Sequence, residues 1–76
     1  MSITVRFFAS LRDRVGFDRI EIDAANLNSV QDVWQTLVEQ EPDARVLAAV
    51  NARHATLGAK IQDGDEIAFF PPVTGG

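Results

Sequence analysis

Cysteine is absent from this 76-residue chain. Without a thiol there is no disulfide frame, no thiolate nucleophile and no ligand set for an iron–sulfur cluster, and the redox compartment stays open. Histidine occurs once, as His54, so the usual histidine and cysteine ligands of a zinc site are missing. No metal site is expected, and His54 is assigned no role. Long apolar runs are also lacking: none approaches the ~20 residues needed to cross a bilayer. The apolar pattern begins at Ile3, which leaves no room for a secretory leader, so a soluble cytoplasmic protein is expected. Basic residues are the minority, seven against eleven acidic ones for a net charge of −4. Nucleic-acid binders draw their affinity mainly from neutralising phosphates, and an acidic chain does not fit that class.

The charge that is present is uneven. Arg6, Arg12, Arg14 and Arg19 face only Asp13 and Asp18 across the first nineteen residues, whereas every charged residue from Glu21 to Asp43 is acidic. Such polarity can steer docking onto a partner of complementary pattern. A chain of this size buries only ~60% of its unfolded surface. One compact core is feasible, and a private catalytic cleft beside it much less so. Size therefore favours a carrier or binding module over a self-sufficient enzyme.

Ile3, Val5 and Phe7 alternate with Thr4, Arg6 and Phe8, the period of a half-buried strand. Ser10 and Asp13 have capping-box spacing, Leu11 and Val15 fall one turn apart, and Gly16 suits a left-handed helix end; a short helix is expected there. Arg19–Asp23 alternates again, with Ile20 and Ile22 inward. Ser29 caps the main helix, with Asp32 three residues on, and Val30, Val33, Trp34, Leu37 and Val38 form one apolar stripe. Pro42 bars its continuation. Val46–Val50 reads as a buried strand, Asn51-Ala52-Arg53 as a turn, Ala55–Leu57 as a brief edge strand and Asp63-Gly64 as a turn. Glu66–Phe70 is the last strand, because Pro71 and Pro72 lack the N–H that a ladder needs. A helix between two sheet-forming halves predicts an α+β fold, a mixed sheet of four to five strands with one main helix across one face. The β-grasp, or ubiquitin-like, architecture meets this order, with residues 1–70 as the domain and 71–76 as an extended tail.

The tail is the most telling segment. Gly75-Gly76 leaves a bare α-carboxylate on a thin thread that can approach another molecule without side-chain hindrance. The stretch Asp63-Gly64-Asp65-Glu66-Ile67-Ala68-Phe69-Phe70-Pro71-Pro72-Val73-Thr74-Gly75-Gly76 closely resembles the small, sulfur-carrying subunits of molybdopterin synthase. The opening Val5-Arg6-Phe7-Phe8-Ala9, with Leu11-Arg12 and Gly16, is similar to that family too. A terminal Gly-Gly alone is shared with ubiquitin and the thiamine sulfur carrier; joined to Phe-Phe-Pro-Pro-Val it is far more specific.

The resemblance implies a β-grasp fold and a role in molybdenum cofactor biosynthesis. It implies that Gly76 is adenylated by an E1-like enzyme at the expense of ATP, then converted to a thiocarboxylate with sulfur from a persulfide donor. The chemistry calls for such activation, because the carboxyl group is ionised at neutral pH and its oxygen is a very poor leaving group. The acceptor implied is cyclic pyranopterin monophosphate on the large catalytic subunit, within a heterotetramer carrying a small subunit at each end. Catalytic side chains are then expected in the partner and none here, with no permanently bound cofactor. Six residues from Pro71 to Gly76 reach at most ~20 Å, enough to enter a buried pocket. Pro71, Pro72, Val73, Thr74 and Gly75 are the expected inserting residues, the prolines lowering the ordering cost.

A docking surface should hold the root of the tail. If Ile67 and Phe69 face the helix, Phe70 and Ala68 face away, as does Phe8. Exposed aromatics on one sheet face suggest a partner interface, with Arg6 and Arg12 adding charge; alternatively, the two rings merely cover each other. Rival functions are sulfur carriage for thiamine synthesis, ubiquitin-like protein modification, and a non-covalent β-grasp adaptor whose terminus is inert.

Overall fold

Alternation in the first strand sets the architecture. In β1 (Ser2–Phe7) the side chains of Ile3, Val5 and Phe7 are buried, while those between them are half-buried or exposed. A computed structural model describes residues 2–16, 18–38 and 46–71. Over these, β1 is followed by α1 (Ser10–Val15), β2 (Arg19–Asp23), α2 (Val30–Val38), β3 (Leu47–Val50), β4 (Arg53–Ala55) and β5 (Glu66–Phe70). One five-stranded sheet has the order β2-β1-β5-β3-β4. Its central pair, β1 and β5, is parallel with Val5 beside Ile67 and Phe7 beside Phe69, and the other neighbours are antiparallel. This mixed sheet with one main helix is the expected β-grasp plan.

The core lies between the sheet and α2. Val30, Val33 and Trp34 of the helical stripe are fully buried, together with Ile67 and Phe69. Three aromatics form its centre: Phe7 stacks on Phe69 at 5.5 Å between ring centroids, and Trp34 meets Phe69 edge-on at 5.1 Å. Such pairs add about 0.5–1.5 kcal/mol each beyond area burial, a large share in a small domain. Trp34 is thus a core residue, as its place on the stripe predicts.

The start of α2 leaves no orphan donor. Asp32 donates its N–H to Ser29 Oγ at 3.3 Å, and its carboxylate accepts the N–H groups of Ser29 at 3.2 Å and Asn28 at 2.9 Å, the reciprocal capping box expected. The N–H groups of Val30 and Gln31 go to the carbonyls of Ala59 and Leu57. The end expected at Pro42 lies outside the described residues.

Three local expectations change. The capping box at Ser10 does not form: Ser10 is already helical, Ala9 occupies the cap position with φ 53°, and no side chain caps α1. The helix grows directly out of β1, with Leu11 and Arg12 bonding back to the carbonyls of Phe8 and Ala9. A serine inside the first turn cannot reach the donors that an N-cap serves. Gly16 does close α1 in the left-handed conformation, φ 89°, with its N–H on the Arg12 carbonyl. Second, β4 runs Arg53–Ala55, not Ala55–Leu57. Asn51 and Ala52 both have positive φ, 52° and 68°, the requirement of a two-residue hairpin turn. Val50 therefore already faces Arg53, and Leu57 is free to cap α2. Third, β3 begins at Leu47 while Val46, just outside it, is buried.

Candidate functional site

The sheet face opposite α2 is built by the alternate residues of the same strands. Phe8 extends the parallel ladder one step past β1 by donating its N–H to the Phe69 carbonyl at 3.1 Å. That step sets its ring against Phe70: the centroids are 4.7 Å apart and the planes 9° from parallel. Both rings are half-buried, so they shield each other and still present one flat apolar surface. The two readings of these aromatics, as mutual cover and as an exposed docking surface, are therefore compatible. Ile67 and Phe69 face the core, as expected, and Ala68 and Phe70 face away.

The register enlarges this surface. Leu47 lies opposite Phe70, and Ala49 lies between Ala68 and His54. Ala49 and Ala68 are small and only 8% exposed, so they form a shallow floor beside the Phe8–Phe70 stack. Leu47 and Ala49 had no signal in the sequence by themselves. They become visible once β3 is registered on β5, because a strand that alternates must show every second residue to this side.

Arg6 borders the patch. Its guanidinium lies 4.9 Å from the Phe8 ring centre, and Nη1 is 3.9 Å from the Glu66 carboxylate. Both partners are nearly half exposed, and such an ion pair contributes little stability; the cation–π contact holds the head group over the ring. Arg12 is exposed on α1, and no contact joins it to the patch. Of the four interface residues expected from sequence, the structure gathers Phe8, Phe70 and Arg6.

Pro71 follows Phe70, is half-buried, and is the last described residue beside the apolar patch. Pro72, Val73, Thr74, Gly75 and Gly76, the remaining expected tail residues, lie outside the described residues. Among the described residues no group of three or more His, Asp or Glu could hold a metal ion. None of their helices is long and apolar enough to cross a membrane. An open groove lined by Asn26, Leu27, Asn28, Asp32, Gln35 and Thr36 lies at the start of α2, where the Asp32 carboxylate is already engaged in capping.

A mixed β-grasp sheet with a partly apolar face at the root of its carboxyl tail defines the ubiquitin-like class. Within it, the chain belongs to the ThiS family, whose model matches residues 5–76. It is 42% identical over 81 residues to the molybdopterin synthase sulfur carrier subunit of Escherichia coli K12, covering 97% of this chain and 99% of that protein. Its fold is similar to that of SAMP1, a small archaeal modifier protein of Haloferax volcanii, with a TM-score of 0.82, 28% identity and full coverage of both chains. It is also similar, with a TM-score of 0.66, 28% identity and full coverage of both chains, to a chain in a complex of subunits 1 and 2 of molybdopterin-converting factor from Helicobacter pylori.

Proposed function

We propose that this chain is the sulfur carrier subunit of a molybdopterin synthase, active in the cytoplasm, and that its reacting atom is the carboxyl carbon of Gly76. The observation that carries this reading is the Phe8–Phe70 stack at the root of the tail, in a chain similar along nearly its full length to such carriers. A partner that grips this face has the tail within ~20 Å of its own interior.

In the proposed cycle an E1-like enzyme holds the sheet face and draws Gly76 to ATP. The carboxylate attacks the α-phosphorus, pyrophosphate leaves, and an acyl-adenylate forms. A persulfide sulfur then attacks the acyl carbon and AMP leaves. Reductive cleavage of the sulfur–sulfur bond by a thiol releases the donor and leaves a thiocarboxylate on Gly76. The carrier next offers the same face to the large subunit, and the tail delivers sulfur to cyclic pyranopterin monophosphate. The dithiolene holds two sulfurs, so two charged carriers are consumed for each product. The chain acts as a cosubstrate, with no catalytic side chain and no resident cofactor of its own.

The test is intact mass spectrometry after incubation with ATP, the E1-like enzyme and a persulfide donor. Exchange of one oxygen for one sulfur at Gly76 is expected, followed by its reversal on adding the large subunit and the pterin precursor. A terminus that stays a carboxylate under these conditions overturns the proposal. The likeness to SAMP1 favours a second reading, in which the same activated terminus is joined to lysines of other proteins. Amide-linked adducts across many proteins, with no product from the pterin precursor, would mark that outcome. Loss of activity on deleting Gly76 separates both readings from a non-covalent adaptor.

A further inference from the structure

One edge of the sheet carries a pattern complementary to itself. β2 is an end strand, bonded on one side only, to β1. Phe7 donates its N–H to the Asp18 carbonyl at 3.0 Å, and this sets the phase of the antiparallel ladder. Bonding alternates along such a pair, so Ile20 and Ile22 aim their backbone groups at β1. Those of Arg19, Glu21 and Asp23 point outward. The same three residues expose their side chains, whereas Ile20 and Ile22 pack against the core.

Laid antiparallel on a second copy about Glu21, the strand Arg19-Ile20-Glu21-Ile22-Asp23 sets each Arg19 against the other copy's Asp23. Ile20 then meets Ile22 on the core side, twice. Opposite charges and β-branched pairs directly across a ladder stabilise it; the single Glu21–Glu21 contact opposes it. Among the described residues no ion pair inside one chain matches this charge, although Asp23 Oδ1 accepts the Ala25 N–H at 3.0 Å. The cross-strand neighbour of Arg19 is Arg6, another cation, and Arg6 turns to Glu66 and Phe8. Among the described residues neither Arg19 nor Glu21 has an ion-pair partner. The opposite edge offers nothing comparable, since β4 is three residues long and carries Arg53 and His54, a short basic edge of the kind that blocks pairing.

We infer that the outer edge of β2 is a site of self-association, at which two copies join antiparallel about Glu21 into one ten-stranded sheet. The two-fold axis runs normal to the sheet, so both α2 helices lie on one side and both Phe8–Phe70 faces stay open on the other. The carboxyl ends of the two β5 strands point to opposite poles. This pairing is independent of the proposed sulfur chemistry and leaves the tail's docking face uncovered. A five-residue contact is far smaller than a standard interface, so the association is weak and forms as concentration rises.

Sedimentation equilibrium of the full chain at low ionic strength tests the inference. The apparent mass should climb toward twice the monomer value with concentration, and added salt should reverse the climb. Glu21→Gln removes the like-charge contact and should shift the midpoint several-fold lower. Arg19→Asp and Asp23→Arg should each give monomers, and the double exchange should restore association. Glu21→Pro deletes an outward-facing N–H, a position an edge strand tolerates, and should abolish pairing while the amide spectrum of the remaining fold persists. The inference is overturned if the parent chain and Glu21→Gln both stay monomeric at millimolar concentration. It is equally overturned if dimers form but ignore Glu21→Pro and the charge exchange.

Discussion

Phe8 and Phe70 stack with their planes 9° from parallel, one ring from the residue that follows β1 and the other from the last residue of β5. Their meeting follows from register, since Phe7 sits beside Phe69 and both chains continue one residue to the far face. The result is a paired aromatic platform next to the residue from which the tail departs. Arg6 caps one of its rings. In the proposed cycle the carrier needs a grip close to its carboxyl end, and this platform is the surface proposed for it.

Removing half of the platform should separate binding from folding. Phe70→Ala is expected to weaken association with the large subunit by at least tenfold, in the range of an interface anchor at about 2 kcal/mol. The ring lies outside the helix-side core, so the variant should remain folded. Titration calorimetry against the large subunit, with circular dichroism as the folding control, makes the comparison. Parent-like affinity would move the interface elsewhere.

The reciprocal cap of α2 offers a second prediction. Ser29→Ala and Asp32→Ala should each cost about 1 kcal/mol. Because the two side chains serve one another's backbone, the double variant should cost less than the sum of the two. Urea denaturation of the four proteins gives the coupling, and strict additivity would contradict the hydrogen-bond geometry.

Much of this fold was legible because its periods are clean. The stripe from Val30 to Val38 and the alternation of Glu66–Phe70 locate α2 and β5 with little ambiguity. The errors fall where backbone conformation overrides side-chain chemistry. Ser10 carries the right group for a cap, yet the chain turns into the helix one residue earlier, through Ala9 at φ 53°. Asn51-Ala52 contains no glycine, so the sequence carries no signal for a tight hairpin, and β4 begins two residues before the expected Ala55. In the docking face, Phe8 and Phe70 could be read from alternation alone. Leu47 and Ala49 could not, because which strand neighbours β5 is a property of the long-range topology.

The hairpin suggests a stabilising change. Ala52 holds φ 68°, a conformation that costs a residue with a Cβ about 1–2 kcal/mol. Ala52→Gly would produce the favoured Asn-Gly pair of this turn type. Part of the gain is lost to the greater freedom of glycine in the unfolded chain, and a net increase of about 0.5–1 kcal/mol is expected. In a domain this small that is a rise of a few degrees in melting temperature, measurable by calorimetry. No rise, or a fall, would mean the turn is not held in this conformation.

The tail yields the most consequential prediction. If Gly75 passes through channels too narrow for side chains, Gly75→Phe should abolish adenylation, sulfur transfer, or both, by at least a hundredfold. Thermal stability should not change, because the position lies beyond the last strand. The two steps can be read separately, adenylation by pyrophosphate release with the E1-like enzyme, transfer by product formation from a chemically prepared thiocarboxylate. Loss in one assay alone would identify which partner has the tighter channel. Full activity in both would show that the terminal glycines serve some purpose other than steric passage.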